Sequence, residues 1–170
     1  MPTYTDQYIR DILRSTKVIA MVGASGNEMR PSYFAMKYLL DKGFIIHPIN
    51  PGMAGKTILG RTVFAKLADV PAPVDMVDIF RESKYAPQIV DEALAEKERF
   101  GLKTIWMQLG VINEEAEQKA LAAGLNFVMD RCPKIEYGRL SGELSWVGVN
   151  RRLIDNRKPL LFSKGGSLKR

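Results

Sequence analysis

Two side-chain types that carry much of enzyme chemistry are almost missing from this chain. It has one cysteine, Cys132, and one histidine, His47. A single thiol excludes an internal disulfide. One Cys and one His cannot supply the usual ligand set of a zinc site, so no metal is expected. No apolar run approaches the roughly 18 residues of a membrane span. Residues 1–16 are polar and charged, unlike a secretory signal, so the expected setting is cytoplasmic with no membrane contact. A one-signed charge excess is also missing from most of the chain. The net charge is +6, yet residues 151–170 hold seven basic side chains and a single acid, Asp155. The first 150 residues carry as many acids as bases. The basic character belongs to the tail, and no nucleic acid partner is expected for the rest.

What is present centres on the stretch from Val18 to Tyr33. Five apolar residues, Val18 to Val22, run without a break, as in a strand covered on both faces. Gly23, Ala24, Ser25 and Gly26 follow as a loop, and Pro31 suits the first position of a helix. Free N–H groups at that helix start, aided by the helix dipole, make a site for an anion. Arg30 stands just before the helix, where a cation is disfavoured by about 0.3–1 kcal/mol unless an anion sits beside it. The alternative is a tight turn with a solvated arginine.

The remaining pattern alternates strands and helices. A short helix is expected over residues 4–15, outside the main sheet, as a lid or a packing element. Helices are expected over 31–42 and 83–100, with another capped by Asn113, and strands over 17–22, 44–49, 74–80, 103–108 and 125–129. Gly43, Gly101 and Gly124 each separate a helix from the next strand. Residues 51–73 read as a long connection with one short helix at 64–68. In the 74–80 strand acids alternate with apolar residues, which suggests an edge position or a wetter face. The fold class is α/β: a Rossmann-like three-layer sandwich with a five-stranded, mostly parallel sheet. Ligands in such sheets bind beyond the carboxyl ends of the strands. The domain spans 1–140, including the N-terminal helix, and 141–170 is a basic tail.

The loop does not match the dinucleotide fingerprint. A G-x-G-x-x-G pattern starting at Gly23 would place glycines at Ser25 and Glu28. The acid expected after the second strand is replaced by Asn50. An NAD(P)-dependent oxidoreductase, or a redox-sensing Rossmann protein, is therefore the alternative class. Gly55-Lys56-Thr57 resembles the end of a P-loop but lacks its first glycine and its strand context, so it is not one. Lys56 can still reach a phosphate from this loop; the other reading is a solvated lysine. Gln108 offers a donor and an acceptor at the ligand edge, or pins its own loop. Cys132 falls at the same edge, where Arg131 would favour its thiolate; a part-buried thiol without a role is the alternative. His47, inside a strand beside Pro48, reads as packed, although it and Cys132 could meet at the sheet edge.

Several segments together resemble a known family. They are Gly23-Ala24-Ser25, Arg30-Pro31-Ser32-Tyr33, Pro48-Ile49-Asn50-Pro51, Trp106-Met107-Gln108-Leu109-Gly110 and Met129-Asp130-Arg131-Cys132-Pro133. The set resembles the small bacterial CoA-binding proteins, stand-alone versions of the CoA-binding domain of the succinyl-CoA synthetase alpha subunit. The resemblance implies coenzyme A or an acyl-CoA as ligand. It places the phosphates on the loop from Gly23 to Arg30, the nucleotide part near Asn50 and Lys56, and the cleft wall at Met107, Gln108 and Leu109. It puts Cys132 near the thiol arm, where a mixed disulfide with CoA is a second reading. The chain lacks the synthetase's domain with the phosphorylated histidine and its nucleotide-grasp subunit, so binding without catalysis is expected. A homodimer or another protein partner is left open.

Overall fold

The computed structural model describes residues 2–142; the segment 143–170, which holds most of the basic tail and the apolar run Leu160, Leu161 and Phe162, lies outside them. The element order is α1 (Asp6–Ser15), β1 (Val18–Val22), α2 (Pro31–Asp41), β2 (Ile45–Ile49), β3 (Thr57–Ile58), β4 (Arg61–Thr62), β5 (Met76–Ile79), α3 (Ala86–Ala95), α4 (Lys97–Phe100), β6 (Thr104–Met107), α5 (Glu114–Ala122), β7 (Asn126–Val128) and α6 (Pro133–Leu140). Five strands form one parallel sheet in the order β2-β1-β5-β6-β7. The chain reverses its direction of travel across the sheet at β1, so the ends of β1 and β5 bound the crevice where such folds bind ligands.

Strand alternation sends side chains to two cores. On one face Ala20, Val77, Ile79, Ile105 and Met107 pack against Ile89, Val90 and Ala93 of α3 and Ala116 and Ala120 of α5. On the other, Ile19, Met21, Met76 and Trp106 pack against Ile9 and Ile12 of α1, Met36 and Leu39 of α2, and Tyr137 and Leu140 of α6. Three layers result, as the alternating pattern requires.

The N-terminal helix is a packing element. The Tyr8 hydroxyl donates to the Phe127 carbonyl at 3.2 Å and accepts from the Phe127 N–H at 3.0 Å. The Tyr4 hydroxyl accepts from the Met129 N–H at 3.0 Å. Two tyrosines thus satisfy the outward-facing backbone of edge strand β7, where a further strand could otherwise pair.

Four sequence expectations change. The strand at 74–80 is not at an edge: β5 is the middle strand, and Asp78 is fully buried. Its other acid, Asp75, closes the start of the sheet, accepting from the N–H groups of Lys17 and Val18 at 2.9 and 3.0 Å and pairing with Lys103. Burial alone would raise the Asp75 carboxyl, but these donors outweigh it and hold it below its ordinary range. The helix expected over 83–100 is a 3-10 turn at Ser83–Tyr85 followed by α3 and α4, which break at Glu96. The short helix expected at 64–68 is a single 3-10 turn at Leu67–Asp69, because Phe64 instead bridges to Ile49. Residues 133–140, for which no element was expected, form α6.

Candidate functional site

A cleft of about 740 Å³ opens beyond the carboxyl ends of the strands, on the face covered by α2 and α6. Its size falls in the range of small-molecule sites. Its floor begins at the first loop. Gly23 turns the chain at φ +86° directly against the backbone of Phe80: a Cβ there would stand 3.0 Å from the Phe80 carbonyl oxygen. The N–H groups of Gly23 and Ala24 both donate to the Ile49 carbonyl. Asn50, at the position where an acid was missing, is a clamp. Its Nδ2 donates to the Ala24 carbonyl at 2.9 Å, and its Oδ1 accepts from the Gly52 N–H at 2.9 Å. Local Asx and Ser turns complete the loop: Ser25 Oγ accepts from the Asn27 N–H, and Asn27 Oδ1 from the Met29 N–H. The chain then enters α2 with Pro31 at its first position and no side-chain cap. Pro31, Ser32, Phe34 and Ala35 of that first turn line the cleft, so the positive end of the helix dipole meets it.

Charge in the cleft is of one sign. Arg30, Arg81 and Lys134 line it, and among the described lining residues none is acidic. Arg81 stacks on Tyr85 with its guanidinium carbon 4.7 Å from the ring centroid. Lys134 lies over Phe34, 6.0 Å from its centroid.

Beneath the cleft is a buried polar pair. Gln108 Nε2 donates to both carboxyl oxygens of Asp78, at 3.0 and 3.2 Å. This commits the NH₂ to the buried carboxyl, so the amide oxygen is the remaining polar group of this cleft-lining side chain. Burial pushes the Asp78 carboxyl up to about 7, against the opposing pull of the Gln108 hydrogen bond. The loop after β6 is held separately. Asp130 Oδ1 accepts from the Gly110 N–H at 2.8 Å, and Trp106 Nε1 donates to the Arg131 carbonyl at 2.8 Å.

Of the residues singled out from sequence, Gly23, Ala24, Ser25, Arg30, Pro31, Ser32, Asn50, Gln108, Leu109 and Cys132 converge on this cleft. Gly26 and Lys56 are not among its lining. Gly26 backs onto Met53, and Lys56 stands exposed in the turn before β3, where its N–H donates to the Met53 carbonyl. His47 does not meet Cys132 in the cleft. It packs edge-on against Phe64, and burial, with Arg61 nearby, lowers its pKa from the usual range. Arg81, Lys134 and Ile135 also line it without having been singled out from sequence, although they lie just past strand ends, and Met29 lies within the loop expected to hold the phosphates. The Pro133 that opens α6 was the sequence signal for the wall that carries Lys134 and Ile135.

Arg131 does not activate Cys132. Its guanidinium bonds the carbonyls of Asp130 and Pro2 instead. Burial pushes the thiol up, and the N–H groups of Ile135 and Lys134 oppose this without reversing it. Iodoacetamide at neutral pH is therefore expected to label Cys132 several-fold more slowly than free cysteine, because the thiolate is the reacting form. Labelling as fast as the free amino acid, followed by intact mass, would show an activated thiol.

The architecture and cleft can be set beside known proteins. The CoA binding domain model matches residues 17–138, which include both walls of the cleft. The chain belongs to the CoA binding domain family. The uncharacterized protein YneT of Bacillus subtilis is 33% identical over 129 residues, covering 76% of this chain and 91% of YneT. The ADP-forming acetate–CoA ligase II of Archaeoglobus fulgidus is 31% identical over 119 residues. That match covers 69% of this chain but only 17% of the ligase, so the family domain is a small part of that enzyme. A solved structure, a hypothetical protein from Pyrococcus horikoshii, superposes with a TM-score of 0.74 at 38% identity, covering 81% of this chain and 92% of that one. Family membership supports association with CoA, and the fold of the described residues matches that of a stand-alone relative. Among the described residues, no helix is long and apolar enough to cross a membrane.

Proposed function

We propose that this chain binds coenzyme A or an acyl-CoA in the cleft above β1, β5 and β6, without catalysing a reaction of its own. One observation carries the reading: a cleft in a CoA binding domain is lined by three cations and no described acid, and a helix starts in its wall. The loop from Gly23 to Arg30 and the first turn of α2 hold the phosphates. Ser32, nearly buried at the cleft wall, supplies a hydroxyl, and Arg30 a charge. The nucleoside lies toward Asn50 and Pro51, and the pantetheine arm runs toward Gln108, Leu109 and Cys132. Lys56 stands outside the cleft and serves a phosphate that projects from it. The non-catalytic assignment draws on the cleft's composition. Among the described residues that line it there is no histidine or carboxylate to act as a base beside Cys132. The domain boundary near residue 140 follows from the same reading, with the tail outside the binding unit.

The test is calorimetry of the full chain with CoA and with NAD. Binding of CoA without NAD is expected; binding of NAD alone overturns the reading. Charge-assisted hydrogen bonds contribute about 1.5–3 kcal/mol when well formed, and less for an exposed arginine. Arg30→Ala is accordingly expected to weaken CoA at least about fivefold, equivalent to about 1 kcal/mol. An unchanged dissociation constant would remove Arg30 from the site.

A further inference from the structure

Eight large apolar side chains stand exposed among the described residues. Four of them, Met29, Phe34, Leu109 and Ile135, line this one cleft. They come from four separate stretches: the first loop, the first turn of α2, the loop after β6 and the first turn of α6. No single helical face or strand alternation explains their shared position. Scattered apolar residues on a surface need no account, but exposed apolar groups converging on one concavity mark a place where something apolar is bound.

Their distribution along the cleft is uneven. Sheet order runs from β2 through β1 and β5 to β6 and β7. The β2 end of the cleft carries Asn50 and Pro51, while the β6 and β7 end carries Leu109, Val111, Cys132 and Ile135. Phe34 belongs to the second end, because Lys134 of α6 lies over its ring. Leu109 is 56% exposed and Met29 82%. An unacylated thiol at that end would leave Phe34, Leu109 and Ile135 in water.

We propose that the preferred ligand is a CoA thioester of a medium-length aliphatic acid, whose acyl chain packs on Met29, Phe34, Leu109 and Ile135. This rests on the CoA reading above and names the ligand class for the same site. The phosphates meet the loop that ends at Arg30, and the acyl chain continues past the thioester toward Leu109, Ile135 and Phe34, where Lys134 stands over the ring. The concave shape, and its continuity with the cationic loop, favour a ligand chain over the flat face of a second copy.

The experiment is titration of the full chain with CoA, acetyl-CoA, butanoyl-CoA and octanoyl-CoA. Each fully buried methylene strengthens binding by up to about fourfold. On a partly open wall, octanoyl-CoA is expected to bind at least about tenfold more tightly than acetyl-CoA. In a Met29→Ser, Ile135→Ser double variant that ratio is expected to fall toward one. Both side chains are exposed, and circular dichroism checks that the variant is folded. Equal affinity for CoA and every thioester overturns the inference while leaving CoA binding in place. Failure of every CoA compound to bind overturns the CoA reading itself, and the inference with it. If chain length has no effect and sedimentation shows a dimer that the double variant dissociates, the patch belongs to a second copy and the inference fails.

Discussion

Gly23→Val is expected to lower stability by about 2–5 kcal/mol and to abolish CoA binding. Two costs combine. The residue sits at φ +86°, a left-handed conformation that costs a residue with a Cβ about 1–2 kcal/mol. The new Cβ would also press on the Phe80 carbonyl at 3.0 Å and on its carbon at 3.1 Å. These are backbone atoms just past the end of β5, tied to β1 by the Phe80 N–H on the Val22 carbonyl, so they cannot swing aside. Overpacking of this kind costs about 1–3 kcal/mol. For a chain of this length the midpoint of thermal unfolding would fall by roughly 5–20 °C. Gly43→Val is the control. It has φ +92° and nothing within 4 Å of its would-be Cβ, so only the backbone cost applies. If the two variants melt together, the close approach at Gly23 has no energetic weight. Loss of binding is expected at Gly23 alone, because the loop that starts there must lift away from Phe80 to make room.

Asp78→Asn is expected to change how stability depends on pH. The Asp78 carboxyl is held at about 7 in the folded chain, against an ordinary 3.8. Between those values the folded state keeps a proton that the unfolded state releases. The stabilisation from that proton is complete below about pH 4 and is lost as pH rises through about 7. At about 1.4 kcal/mol per pH unit, the difference is of order 4 kcal/mol. Asparagine removes the titration and can still accept from Gln108 Nε2. The stability of the variant minus that of the parent, from urea unfolding, should therefore rise by a few kcal/mol from pH 4 to pH 8. A difference that stays flat would mean that the burial of Asp78 carries no such cost. The same series tests the cleft, since the residue holds Gln108 in place from below.

Much of the fold was legible because it depends on local pattern. The unbroken run Val18 to Val22 marks a strand buried on both faces, and β1 is one. Pro31 marks the start of α2, and Asn113 caps α5 by accepting from the Ala116 N–H. The anion-site reading of the first loop came from the same kind of information, since the loop and the helix start are adjacent in sequence. What misled was also local. Asp75 and Asp78 suggested a wet strand, but the acids meet different fates. Asp75 caps backbone donors at the sheet's start, while Asp78 is buried against Gln108, 30 residues away. Alternation of polar and apolar residues does not say which polar partner will arrive from another strand.

The chain's sequence alone determined the order of the five main strands, the α/β class with its parallel sheet and the family that the chain belongs to. Each follows from neighbours within a few residues or from motifs read in order. Tertiary structure decided the rest. It brought Arg81 and Lys134 to the cleft beside Arg30, left Lys56 outside, turned Arg131 away from Cys132 and gathered Met29, Phe34, Leu109 and Ile135 around one opening. Those outcomes depend on which strand ends lie side by side. Sheet order β2-β1-β5-β6-β7 is set by crossovers and by burial of both faces, so residues more than a hundred positions apart become neighbours through packing that no local pattern contains.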